Sequence, residues 1–115
     1  MAKDNKTLHL VLKKKWWNMI ASGEKREEYR EIKPHWLKRL CNPVTGCCKD
    51  CRACYKTVPY DYTVKDFIFV CFHLGYTNST MTFQIREIVI DKGREEWGAE
   101  PNKEYFVIKL GERVV

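Results

Sequence analysis

The segment Asp66–Leu74 (DFIFVCFHL) carries apolar side chains at both parities of an extended chain. A strand of that composition offers no face to water, so it belongs in the middle of a sheet with cover on both sides. That requirement excludes an open, one-sided hairpin and calls for further strands and at least one covering layer. Gly75, Asn78 and Ser79 supply turn chemistry after it. Met81 to Ile90 then reads as a long strand, with Met81, Phe83 and Ile85 on one face and Thr82, Gln84 and Arg86 on the other. Near Glu87 the apolar set changes face, through Ile88 and Ile90, which predicts a bulge or bend. Lys92-Gly93 turns, Glu96 to Ala99 forms a loop, and Tyr105 to Leu110 is a last strand.

The first half opens with Thr7–Leu12, a strand with Leu8, Leu10 and Leu12 on one face. From Lys15 the period changes: Trp16, Met19 and Ile20 fall at i, i+3 and i+4, the apolar face of a short helix. Gly23 sits where such a helix takes a residue at positive φ. Glu24 to Lys33 is polar and strand-like until Pro34, and PHWLKRL suits another helical turn with Trp36, Leu37 and Leu40 packing inward. Residues 41–60 are irregular and rich in Cys, and read as a loop or inserted knuckle. At 115 residues the chain is sized for one domain, 1–115, with one core and an insertion at about 41–60. Mostly strands with one or two short helices make the fold class α+β, mainly β, as a small, partly closed barrel.

The net charge of +6 is unevenly spread: residues 1–57 hold 14 Lys/Arg against 6 Asp/Glu, and residues 58–115 hold 7 against 9. A basic half of this kind suits a polyanion such as RNA, or serves only to keep the surface solvated. No apolar run approaches the roughly 18 residues of a membrane span, so no membrane association is expected. The polar start MAKDNK leads straight into a strand pattern, so a cytoplasmic protein without a signal peptide is expected.

The basic half concentrates its chemistry in Lys13–Arg30, KKKWWNMIASGEKREEYR. Lys13, Lys14 and Lys15 can reach phosphates, which confers salt-dependent, sequence-blind affinity. Adjacent helical residues point about 100° apart, so of Trp16 and Trp17 one packs in the core while the other can stack on a base. Lys25, directly after the Gly23 turn, is an anion or carbonyl contact, a base if burial lowers its pKa, or a solvated turn lysine. Glu28 and Arg30 share one strand face. They can offer an acceptor and donors to a base edge or phosphate, Glu28 can act as a general base, or the two form a plain surface ion pair. Lys25, Glu28 and Arg30 are expected to converge on one small polar group. Tyr29 is expected on the opposite face, and Lys103 outside the site.

The five cysteines Cys41, Cys47, Cys48, Cys51 and Cys54 crowd into fourteen residues. With thiols kept reduced, Cys48, Cys51 and Cys54 with Cys41 can wrap one structural Zn²⁺, Cys47 serving as a substitute ligand, or remain free thiols. Cys71, inside the apolar strand, reads as a core residue. His9 and His73 read as core or surface residues rather than catalytic ones.

These pieces together resemble an ASCH domain, a member of the PUA-like superfamily. The resemblance rests on Trp17 and Ile20 leading into Ser22-Gly23-Glu24-Lys25, then Glu28 and Arg30, followed by REIVI, EWGAEP and the terminal YFVIKLG. It implies a partly closed β-barrel with flanking helices and a cleft beside the Gly-Glu-Lys turn that binds RNA or a modified nucleoside. The implied ligand-binding set is Lys14, Lys15, Trp16, Lys25, Glu28 and Arg30. Some small members of the family are amidohydrolases that deacetylate N4-acetylcytidine with a lysine, a threonine and a glutamate. Lys25 matches that lysine and Glu28 stands where those enzymes have threonine, so Lys25 and Glu28 are the catalytic candidates if the chain is an enzyme. A zinc-stabilised interaction module built on the Cys-rich insertion is the third reading.

Overall fold

The computed structural model describes residues 6–43 and 60–115. In chain order the elements are β1 (Thr7–Leu12), α1 (Lys14–Ala21), β2 (Glu27–Glu31), α2 (Pro34–Leu40), β3 (Cys41–Pro43) and β4 (Tyr60–Val64). They continue with β5 (Phe69–Leu74), β6 (Thr80–Lys92), a 3-10 turn (Glu95–Trp97) and β7 (Glu104–Arg113). Five strands form one sheet in the order β1-β5-β6-β7-β2, and β3 pairs with β4 separately. β1 runs parallel to β5, and every other pairing is antiparallel. The molecule is therefore mainly β with two helices, and its sheet curls into a half-barrel.

The alternations of the sequence build the core directly. Leu8, Leu10 and Leu12 of β1, Val70 and Phe72 of β5, and Met81 and Phe83 of β6 face inward with Phe106, Ile108 and Leu110 of β7. Ile20 from α1 and Leu37 and Leu40 from α2 close over them, so the short helices owe their stability to this tertiary packing. A smaller cluster joins Tyr29, Ala99, Tyr105 and Val107 on the other side of β7.

The apolar segment that opened the sequence reading is corrected in one respect. β5 does run inside the sheet, between β1 and β6, but only Val70 and Phe72 are buried; Phe69, Cys71 and His73 face outward and are half-buried. The strand buried on both faces is β7, where Tyr105 to Ile108 are all buried because the two clusters sit on opposite sides of it. The predicted irregularity in the long strand is present. β6 steps out of register with β7 between Phe83 and Ile85 and again between Ile85 and Glu87, which turns Ile88 and Ile90 toward the main core.

Residues 41–60, read as irregular, begin and end in strands: Cys41 pairs with Val64 and Pro43 with Tyr60. Among the described residues, no helix is long and apolar enough to cross a membrane.

Candidate functional site

The site begins with the way α1 ends. Ser22 N–H donates to the Asn18 carbonyl at 3.0 Å, and Gly23 N–H to the Ile20 carbonyl at 3.1 Å. Gly23 takes φ +86°, a conformation that costs other L-residues about 1–2 kcal/mol. The chain thereby doubles back, and the Lys25 N–H donates to the Met19 carbonyl at 2.9 Å. This fold-back carries the Lys25 side chain inward, where it is 1% exposed.

The Lys25 ammonium meets the first residues of the next strand. Its Nζ donates to Glu28 Oε1 at 2.6 Å. The other Glu28 oxygen, Oε2, pairs with Arg30 Nη2 at 2.9 Å. One buried carboxylate thus sits between two cations, and the pairing is what makes its burial tolerable. Arg30 Nη2 also donates to the Val11 carbonyl of β1 at 3.1 Å. Arg30 Nε is buried without a hydrogen-bond partner among the described residues.

Burial pushes the Lys25 pKa below its ordinary value, opposed by Glu28. Aromatic faces share the task of holding the ammonium: Nζ lies 5.3 Å from the Trp16 ring centre and 5.0 Å from that of Tyr29. The Tyr29 hydroxyl donates to Glu27 Oε1 at 2.8 Å and accepts from the Arg94 N–H at 3.0 Å. Burial raises the Tyr29 pKa above its usual range.

Above this charge relay opens a cleft of about 390 Å³. Its walls come from the end of β1 and the following Lys13, from Trp16, from Glu28 to Glu31 of β2, and from Trp97, Gly98, Glu100, Lys103 and Tyr105. Gly98 has φ +101°, and a Cβ there would stand 2.9 Å from Trp16 Cζ2, so the turn and the indole are in direct contact. Three cations (Lys13, Arg30, Lys103) and three carboxylates (Glu28, Glu31, Glu100) line the cleft. On the rim, Lys103 Nζ bridges Glu31 at 3.1 Å and Glu100 at 3.2 Å. Those contacts lower the Glu31 pKa, through Lys103 first and Lys33 second, and raise that of Lys103.

The structure brings together Lys25, Glu28 and Arg30, but they converge on one another; Glu28 and Arg30 line the cleft and Lys25 lies sealed behind Glu28. Trp16 and Trp17 are both partly buried and pack against the core, and Trp16 also forms a wall of the cleft. Lys14 and Lys15 are exposed and outside the lining, which takes Lys13 instead; Lys15 Nζ lies 4.7 Å from the Trp16 ring centre. One further expectation is corrected. Lys103 belongs to the cleft rim, because it immediately precedes β7, whose Tyr105 pairs with Glu31 of β2. Tyr29 packs in the second cluster as its parity required, yet it also borders the cleft.

Sequence reasoning missed Trp97, Gly98, Glu100 and Tyr105, which reach the site only through long-range pairing. Of the metal candidates, Cys41 is buried in the core, and Cys47, Cys48, Cys51 and Cys54 lie outside the described residues. Cys71 is not a core residue: it faces outward beside His9 and His73. Comparison of the chain with protein-family models, with curated proteins and with solved structures gave no match.

Proposed function

We propose that the chain is an ASCH-type, PUA-like domain whose cleft receives a nucleobase, as part of single-stranded RNA or as a modified nucleoside. The observation that carries this reading is the pairing of an aromatic wall with a carboxylate held from both sides. Trp16 and Trp97 both line the cleft, and an indole stacked on a base contributes about 1–3 kcal/mol in single-strand binders. Glu28 uses one contact of each oxygen on Lys25 and Arg30 and keeps acceptor capacity for an exocyclic amino group or a ring N–H. The even count of cations and carboxylates in the lining suits a neutral polar ring better than a phosphate. Exposed Lys14 and Lys15, next to Trp16, would supply positive charge for the backbone phosphates of a strand.

An amidohydrolase acting on N4-acetylcytidine-type nucleosides is the second reading, favoured by the lowered pKa of Lys25. Against it, no Ser, Thr or Cys lines the cleft among the described residues. Titration with single-stranded RNA and with N4-acetylcytidine at low salt separates the readings. Saturable binding without turnover, weakened by Glu28→Gln and Trp16→Ala and unchanged by Lys65→Ala, supports the binder. Release of cytidine that Lys25→Ala abolishes overturns it in favour of the enzyme, and absence of binding to either ligand refutes the cleft assignment.

A further inference from the structure

The sheet face turned away from the main core also carries a histidine–cysteine group that plays no part in the cleft. His9, flanked by buried Leu8 and Leu10, stands opposite Cys71 in the parallel register of β1 and β5. His73 follows on the same face of β5, beyond buried Phe72. His9 Nδ1 and His73 Nε2 are 3.0 Å apart, and the rings are tilted at 44° with centroids 5.3 Å apart. One ligand atom from each of His9, Cys71 and His73 lies within 4.8 Å of the others.

We propose that His9, Cys71 and His73 form a three-ligand site for a zinc-class divalent ion, with Zn²⁺ as its occupant. A tetrahedral zinc with Zn–N of about 2.0–2.1 Å and Zn–S of about 2.3 Å separates its nitrogens by about 3.3 Å and a nitrogen from the sulfur by about 3.5 Å. The observed nitrogen separation of 3.0 Å is already near that value, and small side-chain rotations close the remaining gaps. Two imidazoles and a thiolate form a soft, nitrogen-sulfur donor set that selects against Mg²⁺ and Ca²⁺. The frame is rigid, because all three ligands rise from adjacent paired strands whose opposite face is core. His9 is exposed, so the fourth position is open on its side to water or an outside ligand.

The test is titration of the full chain with Co²⁺ as a spectroscopic stand-in, followed by displacement with Zn²⁺. It uses a background in which Cys47, Cys48, Cys51 and Cys54 are replaced by Ser, so that the insertion cannot contribute thiolates. One equivalent of Co²⁺ is expected, with intense visible bands of tetrahedral geometry and a thiolate-to-cobalt charge-transfer band. Cys71→Ser, nearly isosteric, is expected to abolish the charge-transfer band. His9→Ala and His73→Ala are each expected to weaken binding by at least about tenfold, with circular dichroism reporting that the fold persists. Binding that survives Cys71→Ser with its charge-transfer band intact overturns the proposal, as does absence of the bands in the folded Ser background. Binding of copper with no measurable uptake of Zn²⁺ overturns the choice of metal.

Discussion

The Arg30 guanidinium donates to the Val11 carbonyl at 3.1 Å, joining residues nineteen positions apart in the chain. Arg30 lies on β2 and Val11 on β1, the two edges of the five-stranded sheet. A single side chain therefore ties the open edges of the half-barrel and, through Glu28, connects that tie to Lys25. Trp36 on α2 backs it, with the Arg30 guanidinium 5.2 Å from the ring centre. The cleft floor and the closure of the fold share these atoms, so disturbing one disturbs the other.

Replacing Arg30 with Lys keeps the charge but removes the planar fork that serves Glu28 and Val11 together. We expect Arg30→Lys to lose about 1–3 kcal/mol of stability, the range for leaving a buried hydrogen-bonding group unmet. Urea denaturation with an unchanged m-value measures it.

Lys25 and Tyr29 give the protein a defined alkaline pH dependence. Lys25 has a folded pKa below its ordinary 10.5, so the unfolded chain binds more protons between the two values. Stability therefore rises with pH through that window and is lost again as pH falls through the folded pKa. Tyr29 acts oppositely: its folded pKa is raised above 10.0, so its contribution is full below that pH and is lost as pH rises beyond it. Urea midpoints measured from neutral pH to about 11 should rise and then fall, and Lys25→Met should remove the rise while leaving the fall.

Gly98→Ala meets both a positive φ and the Trp16 ring at 2.9 Å. A cost of about 1–2 kcal/mol follows from the backbone alone. The indole must also move, so base binding should weaken more than a matched loss of stability at a remote position would cause. Fluorescence of the cleft indoles during ligand titration reads the second effect.

Lys14→Ala and Lys15→Ala should each lower the slope of log affinity for RNA against log salt by about 0.7, the single-strand value per phosphate contact. Neither substitution should change affinity for a free nucleoside, because neither side chain lines the cleft.

Local rules were enough to place much of this fold. The bounds of β1, the turn at Gly23, α2 after Pro34 and the step in β6 all follow from periodicity and backbone chemistry within a few residues. Pairing across the sheet was not readable in the same way. Nothing local says that β7 lies between β6 and β2, so its burial on both faces and the placing of Trp97, Glu100 and Lys103 at the cleft were out of reach. The same limit hid the outward cluster: Cys71 and His73 share a face by parity, but only the parallel register with β1 brings His9 beside them. Lys25, Glu28 and Arg30 could be grouped from the sequence because they sit within six residues on one turn and one strand. The Glu28–Arg30 pair was expected, in one reading, as a surface ion pair; its burial and the joining of Lys25 to Glu28 were not, because burial depends on what covers them.

The four tryptophans make the cleft directly observable, since each indole N–H gives its own resonance. In a nitrogen–proton correlation spectrum recorded during titration with a short single-stranded RNA, the Trp16 and Trp97 indole signals should shift together and saturably. The Trp36 signal, whose ring packs between Arg30 and Arg39 outside the lining, should stay nearly fixed. Saturation of the RNA titration with the Trp16 and Trp97 signals unmoved would contradict base recognition in this cleft.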